Sequence, residues 1–283
     1  EVDPAGGTNY TISGTSQFLS VPYAMYATIA DTVLNAPDTS SANEIQNLSV
    51  STSGDTLYIS GGNYVIVPGI SVKNSWPSGI VFCGGAPTEI VDVTSTTGKT
   101  WMDRNLGASQ AATSNNDAAS YGDLYQWGRA ADGHQCRTSG TTSTNATTAL
   151  PNAGNSWDSL FILEAISPYD WLTPQDATLW QGVNGTNNPC PSGYRLPTRA
   201  EWEAERMNWS SDNAAGAFAS PLKLPVAGNR GSSGSVTEAG AIGFYWGSTV
   251  SGAKSRYLYF NSSSANVFDF DRANGFSVRC IKD

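Results

Sequence analysis

One histidine in 283 residues narrows the chemistry this chain could perform. His134 lies in Asp132-Gly133-His134-Gln135-Cys136. A Ser-His-Asp relay would have to be built on it, since an imidazole must carry the proton between nucleophile and leaving group. No Gly-x-Ser-x-Gly turn presents a nucleophile, and no second histidine completes a metal pair. The expectation is a solvated loop histidine. Glu201 and Glu205 stand one helical turn apart, a spacing at which two carboxylates can share acid and base work. Thr198 and Glu201, however, have the three-residue spacing of a capping box, in which hydroxyl and carboxylate satisfy each other's free amides. Glu205 is then read as part of the polar side of that helix, with Arg199, Glu203 and Arg206. Asp269, Asp271 and Asn274 offer three oxygen donors before Gly275, but the EF-hand spacing and its closing glutamate are missing. No catalytic residue, metal or cofactor is expected.

The four cysteines, at 83, 136, 190 and 280, show no Cys-x-x-Cys spacing and allow three pairings. One precedes the Thr198 helix and one ends the chain's last alternating segment. Cys190 with Cys280 is therefore expected to tie the middle of a domain to its end, leaving Cys83 with Cys136. Two disulfides imply an oxidising compartment. Charged residues make up only 14%, with nine Trp, twelve Tyr and abundant Gly, Ser, Thr and Asn, a profile of a β-rich extracellular protein. The net charge of −9 argues against nucleic acid and anionic membrane as partners. No apolar run approaches the ~20 residues of a membrane span.

The elements needed to position these residues can be read in outline. Pro191-Ser192-Gly193 makes a turn, Tyr194-Arg195-Leu196 is extended, and Thr198 opens a helix with Trp202 and Trp209 on its apolar side. Phe276, Val278 and Cys280 alternate with Ser277 and Arg279, a half-buried terminal strand. Residues 90–93 and 99–102 form a hairpin across Thr96-Thr97-Gly98, and 118–129 hold a short helix or tight core turn. Residues 138–155 read as an exposed low-complexity loop. Three more strands follow: 244–246 before a Gly-Ser turn, one through Leu258 and Phe260, and 267–271.

TGKTWMDRNLGAS (97–109), YGDLYQWGRAADG (121–133), CPSGYRLPTRAEWE (190–203) and FYWGST (244–249) together resemble the Fibrobacter succinogenes major paralogous domain family. RLPTRAEWE and GFSVRC also resemble the C-type-lectin-like fold of formylglycine-generating enzymes and retroelement-diversified binding proteins. The resemblance covers 76–283 and implies an α+β, C-type-lectin-like domain with short helices and twisted antiparallel strands. The enzymes use a closely spaced C-terminal cysteine pair for copper, which Cys280 alone does not supply. Three Asp-Thr/Ser-aliphatic triplets are similar to O-glycosylation acceptors of exported Bacteroidota proteins and mark Thr32, Thr56 and Ser159.

The N-terminal part is organised differently. Residues 1–13 look like the end of a preceding β-domain. Residues 14–75 read as a neck, with one helix carrying Met25, Ile29 and Val33 on a stripe and then three short strands at 48–50, 57–59 and 64–67. Strands this short hardly make a core within one chain. A homo-oligomer, most simply a trimer, is the expectation, and the segment is similar to fibre stalks of Bacteroidota surface proteins.

The sequence thus indicates a secreted or cell-surface binding or adhesion protein; the alternatives are a structural subunit of an extracellular fibre and a formylglycine-generating-type oxidase. The ligand, glycan or protein, is expected on the C-terminal strands, where diversified relatives concentrate their variation. Alternation puts Leu258, Phe260, Phe268 and Phe270 inside. Tyr257, Tyr259, Asn261, Asp269 and Asp271 would then be exposed, flanked by Trp246, Ser248, Arg256 and Arg272.

Overall fold

The chain divides into two compact units, Glu1–Ser71 and Val72–Asp283. The computed structural model describes Leu48–Val50, Thr56–Ile59, Tyr64–Ile66 and residues 75–283 apart from Ala153 and Ala165. In the first unit, β1 (Leu48–Val50), β2 (Thr56–Ile59) and β3 (Tyr64–Ile66) form an antiparallel meander, with Leu48 opposite Ile59 and Thr56 opposite Ile66. The expected helix with Met25, Ile29 and Val33, residues 1–13 and the acceptor Thr32 lie outside the described residues.

Among the described residues the second unit is a mixed α+β assembly of short strands in open sheets with two short α-helices and a 3-10 turn, Ala118–Ser120. β4 (Asp92–Thr94) and β5 (Thr100–Met102) make the expected hairpin, and Gly98, at φ +79°, supplies the left-handed turn residue. β16 (Ile281–Lys282) pairs with β5 and with β9 (Tyr194–Arg195), so the chain's end lies beside the segment that leads into the helix. A second sheet has the order β11-β10-β15-β6, from β6 (Tyr125–Gln126), β10 (Asn229–Arg230), β11 (Val236–Thr237) and β15 (Gly275–Phe276). β7 (Thr141–Thr142) and β8 (Phe161–Ile162) pair in parallel. Part of the segment expected as an exposed loop is therefore tied down, and Ala146 within it is buried.

Helix α1 (Arg199–Met207) begins at the anticipated capping box: Thr198 Oγ1 accepts from the Glu201 amide, and the Glu201 carboxylate accepts from the Thr198 amide. A shorter helix, α2 (Ala214–Ala219), is capped by Asn213. Glu205 is not part of a solvated side. It is 1% exposed, and one carboxylate oxygen accepts from the hydroxyls of Ser95 and Thr97 at the β4–β5 turn. The helix thereby fixes the hairpin, a contact that helical spacing alone does not reveal.

The long strands β12 (Gly243–Ser251), β13 (Lys254–Phe260) and β14 (Ala265–Asp271) form an antiparallel meander between two cores. Tyr245, Leu258, Phe260 and Val267 face Trp101, Trp202 and Trp209 in one core. Trp246 and Tyr257 belong to the other, with Trp127, Trp171, Trp180, Phe276 and the Cys190–Cys280 bridge. Buried indoles need a partner for the ring N–H. Those of Trp127, Trp171, Trp180 and Trp246 donate to the carbonyls of Gly247, Trp127, Asn187 and Tyr125 at 2.7–2.9 Å. Gly247-Ser248 is not a turn: β12 runs through it with a shift of register between Trp246 and Val250. Nor is the last alternating segment half-buried, because Ser277 and Arg279 are buried along with Phe276, Val278 and Cys280. Arg279 sits inside because its guanidinium reaches Asn105 Oδ1 and the carbonyls of Leu222 and Met102.

Candidate ligand-binding face

The register of the meander decides which side chains are available to a ligand. Leu258 lies opposite Val267, and Tyr257 opposite Phe268. The alternation expected for β13 holds for Leu258 and Phe260, but β14 is out of phase with the expectation by one residue. Phe268 and Phe270 are exposed at 44% and 38%, whereas Val267 and Ala265 fill the core. A one-residue change of register moves every side chain to the other face.

The proposed contact residues therefore separate into three groups. Trp246, Ser248, Tyr257 and Arg272 are corrected to buried positions. Tyr257 packs against Phe244, Trp246 and Phe276, and burial raises its phenol pKa to about 12, with Tyr259 and Asp269 adding to the shift. Ser248 donates its amide to Pro197 O. Arg272 lies over the Trp127 ring at 4.5 Å and faces Asp170 at 3.5 Å. A second group, Arg256, Asp269 and Asp271, occupies the charged end of the opposite face. Arg256 faces Asp269 at 3.6 Å and Lys254 faces Asp271 at 3.5 Å. Asn274, buried nearby, accepts from the Ser232 amide, so it does not join those carboxylates as a donor set. The third group, Tyr259 and Asn261, remains half-exposed, with Asn261 Nδ2 donating to the Tyr259 hydroxyl at 2.7 Å.

Around Tyr259 the structure assembles a surface that sequence reasoning missed. Phe244, Tyr259, Phe268 and Phe270 lie on one face of the meander, continuous with the rings of Tyr257 and Phe276 beneath. The outer rings are open to solvent and the inner ones are packed. Alternation in β14 was legible, but its phase depended on pairing with β13.

The remaining candidates take their places elsewhere. Both disulfides form, Cys83–Cys136 and Cys190–Cys280, and use all four cysteines. His134 is fully buried rather than solvated, its Nδ1 2.7 Å from Asp132 Oδ1, while Nε2 accepts from the Gln126 amide at 3.1 Å. Burial and the nearby Arg129 hold its pKa down to about 4 against the pull of Asp132, so the ring is neutral with its proton on Nδ1. With Nε2 already hydrogen-bonded, the ring cannot accept a serine's proton there. Ser159 is exposed but donates to Asp132 O, and Thr56 begins β2. Among the described residues no three His, Cys, Asp or Glu side chains converge as a metal site, and no helix is long and apolar enough to cross a membrane.

Comparison with protein-family models, curated proteins and solved structures finds no match to this chain.

Proposed function

We propose that the chain is a secreted or cell-surface binding protein whose 76–283 region is a C-type-lectin-like domain carried on a self-associating, trimeric neck. The single observation that carries recognition is the aromatic face of the meander, where Phe268 and Phe270 are open to solvent beside Tyr259 and Phe244. Exposed aromatics contribute large contact area with few rotors to freeze, and recognition surfaces are enriched in them. The two disulfides suit an extracellular setting. A reading without turnover is supported by the hydrogen-bonded His134 and by Cys280, whose sulfur is held by Cys190 and is not free for copper.

The test is binding of the full chain to glycan arrays and to whole cells. Phe268→Ser and Phe270→Ser are expected to weaken any binding at least about ten-fold while the melting temperature falls by no more than about 4 °C. Binding unaffected by both changes would place the ligand elsewhere. A fibre subunit is the second reading, favoured by β14, which among the described residues is an edge strand of its sheet and so able to pair with another chain. Ordered fibres that disappear with Phe268→Pro would support it. Light scattering showing a monomer would count against the trimeric neck.

A further inference from the structure

Asp123 is a buried carboxyl that the aromatic face does not use. It is 7% exposed and immediately precedes the Leu124–Tyr125 segment that enters β6. Its amide donates to Leu106 O at 2.9 Å, yet neither carboxyl oxygen has a hydrogen-bond partner among the described residues. Neither oxygen is among the fully buried atoms left without a partner, so both keep contact with the open space beside them. Burial raises its pKa to about 7, against the pull of Arg137. Gly107 makes room for it: a Cβ there would stand 2.2 Å from Asp123 Cγ, and its φ of +81° independently favours glycine.

Two cavities, of about 260 and 510 Å³, have Asp123, Gly107 and Cys83 in their walls, and the larger one also has Cys136, the disulfide partner of Cys83. Arg137 lines the larger one, with its guanidinium donating to the carbonyls of Gly122 and Ala227. The smaller one has a different character. Trp76, Phe82 and Tyr125 line it, its two charged wall residues are Asp123 and Glu89, and no Lys, Arg or His is among them. Glu89 is already engaged by Arg104 at 2.9 Å, whereas Arg137 attracts Asp123 only from a distance and spends its guanidinium on the carbonyls of Gly122 and Ala227, so Asp123 is the acid with no cation hydrogen-bonded to it. The Tyr125 hydroxyl also has no hydrogen-bond partner among the described residues.

We propose that the smaller cavity binds a small organic ammonium ion, with its N–H groups on Asp123 and its carbon atoms against Trp76, Phe82 and Tyr125. A charge-assisted hydrogen bond satisfies the carboxylate, and aromatic faces attract the same cation. A neutral alcohol of equal size offers donors but no charge.

The test titrates the full chain with n-butylammonium chloride and, separately, n-butanol. NMR follows the Gly107 amide and the Asp123 carboxyl carbon, in the wild type and in Asp123→Asn. The amine is expected to give saturable shifts, at least about ten-fold weaker for n-butanol and for Asp123→Asn. The Asp123 midpoint is expected to fall by at least about one pH unit at saturation, because a bound cation favours the ionised form. That wild-type reading stands even if Asp123→Asn does not fold. No saturable shift at tens of millimolar amine, equal binding of the alcohol, or an unmoved Asp123 midpoint would each overturn the proposal. Phe268→Ser should leave amine binding unchanged, so this result is separable from that of the aromatic face.

Discussion

At the scale of single residues, burial reverses the expected roles of several polar side chains. His134 looked like a loop histidine because its neighbours are Gly and polar residues, yet its ring fills a slot beside Tyr125 and takes the Gln126 amide. Its folded-state pKa of about 4 lies below the ordinary 6.5. The unfolded chain is therefore protonated first, and the stability associated with the neutral ring is full above pH 6.5. That contribution, about 3 kcal/mol, is lost as pH falls from about 6.5 towards 4. Asp123 has the opposite sign, because its value near 7 exceeds the ordinary 3.8. The folded chain then binds the extra proton, and this contribution grows as pH falls from about 7 to about 4. Nitrogen-15 NMR of the single histidine should show an Nδ1–H tautomer titrating near pH 4. A midpoint near 6.5 would place the ring in solvent.

At the scale of elements, the meander is decided by pairing. Alternation in β13 and β14 is plain in the residues, but a strand's period does not say which face is covered. That depends on Leu258 meeting Val267 and on α1 bringing Trp202 against Tyr245. Tyr257→Ala should then be strongly destabilising, by about 3 kcal/mol or more, because a ring only 6% exposed leaves a cavity against Phe276. Phe268→Ser, on the exposed row, should cost under about 1 kcal/mol. Urea denaturation of the two variants compares them directly, and equal losses would refute this register.

At the scale of the whole molecule, long-range ties hold together a unit of short strands. Cys190–Cys280 spans 90 residues and Cys83–Cys136 spans 53. In the chain-entropy account each removes about 4–5 kcal/mol of freedom from the unfolded chain. Cys190→Ala with Cys280→Ala should lower stability by about that amount, read as a fall in the denaturation midpoint. The Cys83 and Cys136 double variant should show a comparable fall and also loosen the walls around Asp123, seen as faster amide exchange at Gly107. An unchanged midpoint in either variant would show that the bridge adds nothing to stability.

Local features of this fold were legible in the residues. The capping box at Thr198 and Glu201, the Thr97-Gly98 hairpin turn and the three C-terminal strands depend on neighbours a few positions apart, and side-chain spacing reports those. The cysteine pairing was legible too, because one cysteine precedes the helix and another ends the last alternating segment. What only the tertiary structure decided involves partners far apart in the chain. Glu205 is buried because Ser95 and Thr97 arrive from over a hundred residues away. Arg279 is buried because Asn105 and Leu222 offer it oxygens. Phe268 is exposed because Val267, one residue earlier, is the one that meets Leu258. A polar side chain can be buried when distant groups satisfy it, and an aromatic can remain outside when its neighbour has already filled the core.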